Sequence, residues 1–310
     1  MNKNPICIFC PATIANLSCG FDVLGLALES TGDRMTLRLT EKAGVRINRI
    51  TGGDLPLDPE KNVAGVAAMA LLEASDFKGG VEMEIEKRIL PGSGIGSSAA
   101  SAAGAVWGIN RLLEEPFSLP ELVGFAVKGE ALASGTPHAD NVAPALYGGI
   151  TLIRGYDPVD IARVHSPALL HAVVLHPQIE IKTSDSRSIL KRSITLEQGI
   201  RQWGNVGGLI TGLFTEDYGL ISRSLKDGVI EPVRSLLIPG FDHMRQVAKD
   251  AGALGFGISG SGPSVFALTK GADAARRTES ALSRYYESVG IPFKTFTSAV
   301  NQDGVRPCQE

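Results

Sequence analysis

The run Pro91-Gly92-Ser93-Gly94-Ile95-Gly96-Ser97-Ser98-Ala99-Ala100-Ser101 constrains this chain more than any other segment. It follows a stretch at 81–89 in which Val81, Met83 and Ile85 alternate with Glu82, Glu84 and Glu86, the period of a half-buried strand. It leads into an alanine-rich stretch at 97–113 that reads as a helix. A strand, a glycine loop and a helix start together present free backbone N–H groups to an anion. A P-loop would need a lysine after Gly96, and a dinucleotide fingerprint would need glycine at position 97, which is Ser97. The acidic residue expected about 20 positions downstream would be Glu114 or Glu115, at the end of a helix instead of a strand. What remains is a phosphate cradle of another design, in which Ser97, Ser98 and Ser101 add hydroxyls to the helix-start N–H groups. A tight strand-to-helix turn is the plainer alternative, but it does not require so many glycines and serines.

Glycine makes up 36 of the 310 residues, above the usual share of about 7%, and a second dense run lies in the other half of the chain. Gly257-Ile258-Ser259-Gly260-Ser261-Gly262-Pro263-Ser264 sits between two short apolar stretches. A hairpin there would need only one or two turn glycines. The surplus predicts close backbone approach to a ligand, with a sharply bulged hairpin as the alternative.

Charge narrows the function classes. Lys and Arg total 30 against 33 Asp and Glu, a net charge of -3, so no basic field is available for nucleic acid. The N-terminal residues are not expected to act as a signal peptide. The longest apolar stretches fall short of the roughly 20 residues of a membrane span, and a cytoplasmic protein without membrane or nucleic-acid partners is expected. Cys7, Cys10, Cys19 and Cys308 are too few for a disulfide framework and are expected to be reduced. Cys7 and Cys10 form C-x-x-C, but inside a stretch that reads as a strand, and there is no second ligand pair for zinc. His165, His171, His176 and His243 lack metal-ligand spacing and read as structural.

Elsewhere, 34–41 alternates as a strand, with 45–50 as its expected hairpin partner. Asn62 caps a helix to 74, and Ser118 caps one that runs to about 134. A short helix ends at Gly148-Gly149, and 150–153 is a strand. Tyr156-Asp157-Pro158 reads as a seam, dividing the chain into domains at 1–158 and 159–310. Beyond it come strands at 169–175 and 293–297, a strand pair around the second glycine run, and helices at 184–191, 196–214, 240–251 and 272–288. This alternation lacks the strict period of a doubly wound fold, so the class is α+β.

The glycine loop resembles the nucleotide loop of the GHMP kinases. Pro11-Ala12-Thr13-Ile14-Ala15-Asn16-Leu17-Ser18-Cys19-Gly20-Phe21-Asp22 and the 257–264 run resemble the family's other two signature segments, in the right order. Together with His138-Ala139-Asp140-Asn141-Val142-Ala143-Pro144-Ala145 and the segment from Glu231 to Phe241, they resemble the branch that phosphorylates L-homoserine. The resemblance implies a two-domain GHMP-kinase-like fold. An N-terminal mixed α/β domain would hold the phosphate loop, and a C-terminal ferredoxin-like domain the second glycine run. It implies phosphorylation of the homoserine side-chain hydroxyl by ATP with Mg²⁺, on the route to threonine, by a homodimer.

The resemblance also assigns residues. ATP falls to residues 91–101: Pro91, Gly92, Ser93, Gly94, Ile95, Gly96, Ser97, Ser98, Ala99, Ala100 and Ser101. Ser98 and Glu130 would hold Mg²⁺, which takes oxygen ligands and keeps several waters. Asp22 would receive the α-amino group, Arg187 and Arg234 the carboxylate, because a planar fork meets a carboxylate bidentately. Asn16 would sit near the reacting hydroxyl, with His138 and Gly260 lining the substrate site. Where mevalonate kinase and other relatives place a catalytic aspartate, this chain has Asn141. An amide cannot take a proton, and Asp140 is one position off. Catalysis by Asn141, Asn16, Ser98 and Glu130 through positioning and charge neutralisation is therefore expected. Another small alcohol such as mevalonate or a sugar, a ligand-binding regulator of the same fold, and a nucleotide-dependent oxidoreductase stand as the alternatives.

Overall fold

The computed structural model describes residues 4–308 apart from 136, 182 and 192. The chain opens with β1 (Ile6–Ala15), β2 (Leu24–Thr40) and β3 (Gly44–Thr51), then α1 (Val63–Ala74) and β4 (Gly80–Glu86). Next come α2 (Ser97–Leu112), α3 (Leu119–Ser134), α4 (Val142–Tyr147), β5 (Ile150–Tyr156) and β6 (Val159–Val164). The remainder is β7 (Leu170–Pro177), α5 (Thr183–Ser188), α6 (Leu196–Thr215), α7 (Tyr218–Ser224), α8 (Glu231–Arg234) and α9 (Phe241–Asp250). It closes with β8 (Gly255–Ile258), β9 (Val265–Lys270), α10 (Ala272–Val289), β10 (Phe293–Ala299) and β11 (Arg306–Pro307).

Two sheets organise these elements. The first runs β11-β1-β2-β4-β3, with the β5–β6 hairpin attached to the first half of β2. The second is antiparallel in the order β10-β7-β9-β8, the ferredoxin-like arrangement with helices between its strands. Periodicity places the helix ends well. The Asn62 side chain accepts from the Ala64 N–H at the start of α1, and Ser118 with Glu121 forms a capping box on α3.

Three expectations are corrected. The 45–50 stretch is a strand but not the hairpin partner of β2. β4 pairs antiparallel with β2 and parallel with β3, because α1 supplies the crossover a parallel pair needs. The turn at 156–158 is not a seam between sheets: β5 and β6 pair across it, Tyr156 facing Val159. With β11 returning to β1, the first sheet takes strands from both sides of the 158/159 boundary. Finally, Cys7 and Cys308 are joined as a disulfide, while Cys10 and Cys19 are free and buried. The return of β11 sets Cys308 N–H on the Cys7 carbonyl, and strand alternation turns Cys7 and Cys10 to opposite faces.

The larger core lies between the first sheet and α1–α4, built around Ile8, Ile14, Leu26, Met35, Leu37, Met83 and the alanines of α2. It continues to one face of the second sheet through Leu170, Ala172 and Val174, and takes in Leu209 and Leu213 of α6. The opposite face, with Val173 and Leu175, packs on α9 and α10 around Tyr286. Among the described residues no helix is long and apolar enough to cross a membrane.

Candidate active site

A cavity of about 440 Å³ opens between the two sheets, walled by the 91–101 loop, the 16–22 loop, the start of α1, the end of α3, α5, α8 and the second glycine run. Gly92, Gly94 and Gly96 all have positive φ, between 71° and 82°, which only glycine adopts readily. Gly96 is the N-cap of α2, so the first-turn N–H groups of this helix face the cavity side of the loop. A Cβ at Gly96 would strike Thr13 Oγ1, and one at Gly94 would strike the carbonyls of Gly262 and Ser259.

The second glycine run therefore approaches the first loop more closely than it approaches the cavity. Ser259 Oγ donates to the Gly94 carbonyl at 2.8 Å and Ser264 N–H to the Ser93 carbonyl at 3.3 Å. Gly260 alone of its glycines lines the cavity. The surplus glycine lets the C-terminal sheet press on the phosphate loop, backbone against backbone.

Beneath the loop lies a buried pair not foreseen from the sequence. Lys87 and Asp33 form a salt bridge with both side chains 1% exposed. Lys87 Nζ also donates to the Ser97 carbonyl (2.7 Å) and Ser101 Oγ (3.0 Å). Asp33 Oδ1 accepts from the N–H groups of Arg88 and Ile89. The signal was available: Asp33 shares the inward parity of Met35 and Leu37, and Lys87 that of Met83 and Ile85. Charges at core positions on paired strands must meet.

At the other end stand the acid and the arginines. Arg187 donates to both carboxylate oxygens of Asp22 at 2.9 Å. Arg234, buried at the foot of α8, donates to the carbonyls of Gly260 (2.9 Å) and Ser186 (3.3 Å). Both guanidinium groups lie over the Phe21 ring. Burial, then the Arg187 charge, lowers the Arg234 pKa. Asn16 is committed to holding this end. Its Nδ2 donates to the Gly260 carbonyl, and its Oδ1 accepts from the Asp22 N–H, both at 3.0 Å. His138 Nδ1 lies 4.0 Å from Asp22, and desolvation lowers its pKa.

Between the two ends sit the reacting-centre candidates. Thr13 Oγ1 donates to Asn141 Oδ1 at 2.7 Å, which fixes the amide with its NH₂ as donor toward the cavity it lines. Asp140 lines the same cavity; burial, then the Asp22 and Glu130 charges, raises its carboxyl to about 7. Glu130 is raised to about 7 by burial, opposed by a hydrogen bond from Ser98 and the Lys87 charge. A hydroxyl and a desolvated carboxyl side by side at the loop are hard oxygen donors suited to Mg²⁺, which needs one or two protein oxygens beside phosphates. Among the described residues no set of three His, Cys, Asp or Glu forms an all-protein metal cage.

The structure brings Asn16, Asp22, Ser98, Glu130, His138, Asn141, Arg187, Arg234 and Gly260 to one cavity, together with Pro91, Gly92, Gly94, Gly96, Ser97 and Ser101. Ser93, Ile95, Ala99 and Ala100 are buried beneath the loop instead, where they shape it without facing the cavity. Leu55, Pro56, Val63 and Ile85 form an apolar wall that sequence reasoning missed, because its members come from three separate segments.

Family models support this description: "GHMP kinases N terminal domain" matches residues 62–149 and "GHMP kinases C terminal" matches 209–288. Fold and site thus define the class, a GHMP kinase with an alcohol group as phosphoryl acceptor. Homoserine kinase of Chlorobium phaeobacteroides is 48% identical over 286 residues, covering 88% of this chain and 89% of its own. The crystal structure of homoserine kinase from Cytophaga hutchinsonii superposes with a TM-score of 0.95 at 48% identity, over 99% of this chain and 98% of that one. L. major mevalonate kinase, 17% identical with a TM-score of 0.69 over 94% and 95%, shares the fold. The chain belongs to the homoserine kinase family.

Proposed function

We propose that this protein transfers the γ-phosphoryl group of ATP to the side-chain hydroxyl of L-homoserine, giving O-phospho-L-homoserine for threonine synthesis, as a cytoplasmic homodimer. The observation that carries this reading is the Asp22–Arg187 pair with Arg234 beside it, facing a phosphate loop across one cavity. An amino acid brings an ammonium and a carboxylate. It can replace the Asp22–Arg187 salt bridge by two new ones, ammonium on Asp22 and carboxylate on Arg187 and Arg234, so that no charge is left unpartnered. A sugar offers neither group, and a hydroxy acid only one.

The start of α2 would receive the nucleotide's phosphates, and the Leu55–Pro56 wall offers an apolar surface for its base. Ser98 and Glu130 would hold Mg²⁺, which when bound would supply neutralisation of the charge on the phosphate oxygens. The Asn141 NH₂ donates into the space between the two substrates, held there by Thr13. Asn16 keeps Asp22 and Gly260 in place. A loose phosphoryl-transfer transition state demands little activation of the nucleophile, so the hydroxyl proton passes to a phosphate oxygen or water.

The test is ADP release from MgATP with L-homoserine, D-homoserine, L-serine, L-threonine, mevalonate and galactose at equal concentration. Turnover confined to L-homoserine is expected. Turnover of mevalonate or galactose would discard the amino-acid clamp, and ATP binding without turnover of any alcohol would leave a ligand-binding regulator.

A further inference from the structure

Helix α6 carries a face that the rest of the chain leaves in water. Leu196, Ile200 and Trp203 are 70%, 57% and 63% exposed; Phe214 is 59% exposed with its ring tilted against His165, and half-buried Ile210, at the edge of this face, also packs on the main core. Counting Gly207, the positions 196, 200, 203, 207, 210 and 214 step by four, three, four, three and four, the seam spacing of a helix that packs along its whole length on another. The step pattern is the same read from either end. The composition is complementary under that reversal: turned about Asn205, Leu196 meets Phe214, Ile200 meets Ile210, and Trp203 meets Gly207.

Gly204 and Gly207 stand mid-helix with open space where a Cβ would be. Glycine weakens a helix at such positions, and nothing within the chain requires it there. A large ring arriving from outside does. The Trp203 indole itself lies back over Gly199, its ring atoms 3.1–3.5 Å from a Cβ there, which leaves its outer face flat.

The geometry points to an antiparallel pairing of α6 with α6 of a second copy of this chain, about a two-fold axis at Asn205, with each Trp203 seated on the partner copy's Gly207. A two-fold interface is self-complementary by necessity, which is the property the stripe shows. Trp203 and Phe214 leave roughly 250 Å² of apolar surface in water. The seam extends over a helix about 27 Å long and continues into exposed Ile194. Leu196, Ile200 and Ile194 add roughly 300 Å², so the face supplies about two thirds of the ~800 Å² per partner in a standard interface.

The pairing bears on the site described above. The opposite face of α6 holds the substrate end: Gln202 Nε2 donates to the Cys19 carbonyl (2.8 Å) in the loop that carries Asn16 and Asp22, and to Asp227 Oδ1 (3.1 Å). The chain enters α6 directly from the segment that carries Arg187. A second copy on α6 therefore braces both partners of the Asp22–Arg187 bridge.

This inference rests on the homodimer reading and names its interface. Sedimentation equilibrium of the full chain tests both. The native chain is expected to dimerise. Trp203→Asp and Ile200→Asp should each raise the dimer dissociation constant about 30-fold or more, with unchanged circular dichroism, and should raise the KM for L-homoserine more than that for ATP. Gly207→Leu should favour the helix yet weaken the dimer, a combination that a folding defect cannot produce. A chain with Ile200→Cys and Ile210→Cys together should form a disulfide-linked dimer under oxidant, and either change alone should not. A native chain that stays monomeric overturns the dimer itself. A native dimer that survives all three surface changes and does not cross-link overturns the α6 interface and leaves the dimer standing.

Discussion

Single residues decide whether the phosphate loop is armed before any ligand arrives. Lys87 ties Asp33, Ser97 and Ser101 into one buried network, so the first turn of α2 is held from below by a charge that water cannot reach. Removing one partner of a buried pair strands the other. Lys87→Met is expected to cost about 3–5 kcal/mol of stability, measured by denaturant unfolding, and Lys87→Met with Asp33→Asn should recover part of the loss because the stranded carboxylate is gone. Unfolding of the single variant indistinguishable from the native protein would refute this account. The pair was legible in principle from strand parity. In the sequence each charge fits a solvated strand-end residue equally well, and only the pairing of β2 with β4 excludes that reading.

Among elements, the contact that matters most is loop against loop. Gly92 and Gly94 have similar φ, 75° and 82°, but a Cβ at Gly92 meets open space while one at Gly94 runs into Gly262 and Ser259. Gly92→Ala should therefore show backbone strain alone, of about 1 kcal/mol, and Gly94→Ala an additional 1–3 kcal/mol from parting the two glycine runs. The KM for ATP should rise about tenfold or more in the second variant only. Equal effects in both would mean that the second run does not brace the first. Composition did point to both runs as special. It could not say that they touch, since 160-odd positions separate them in the chain.

At the scale of the molecule, closing the two sheets over one cavity buries carboxyls that an open chain would hydrate. Asp140 and Glu130, which line that cavity, and Glu231, buried outside it against Arg245, are each pushed to about 7, by burial first. Between the ordinary carboxylate range and about pH 7 the unfolded chain has released these protons while the folded molecule keeps them. At these three groups the folded state is then the proton-richer one, so their contribution to the stability of the ligand-free protein falls as pH rises through that window. They should pull the melting temperature down over this range, against the opposite contribution of His176, whose pKa burial lowers to about 4, and Asp140→Asn should weaken their pull by removing one of the three. The same variant addresses chemistry: turnover abolished with both substrate affinities intact would make Asp140 the base and sink the base-free mechanism.

Much of this protein was settled by local sequence. The period-two alternation of β2 and β4, the caps of α1 and α3, and the strand–glycine–helix order at 81–113 follow from sterics and hydrogen bonding within a few residues, so they can be read without the fold. The family resemblance supplied Asn16, Asp22, Ser98, Glu130, Asn141, Arg187 and Arg234 as candidates, while the Leu55–Pro56 wall and the Lys87–Asp33 pair lay outside it. Tertiary structure alone decided that β4 separates β2 from β3, that Cys7 meets Cys308, that the second glycine run leans on the first, and that Asp22 and Arg187 hold each other. These are contacts between segments tens to hundreds of residues apart. Their geometry is set by how the two sheets pack, a property of the whole core and not of any window along the chain.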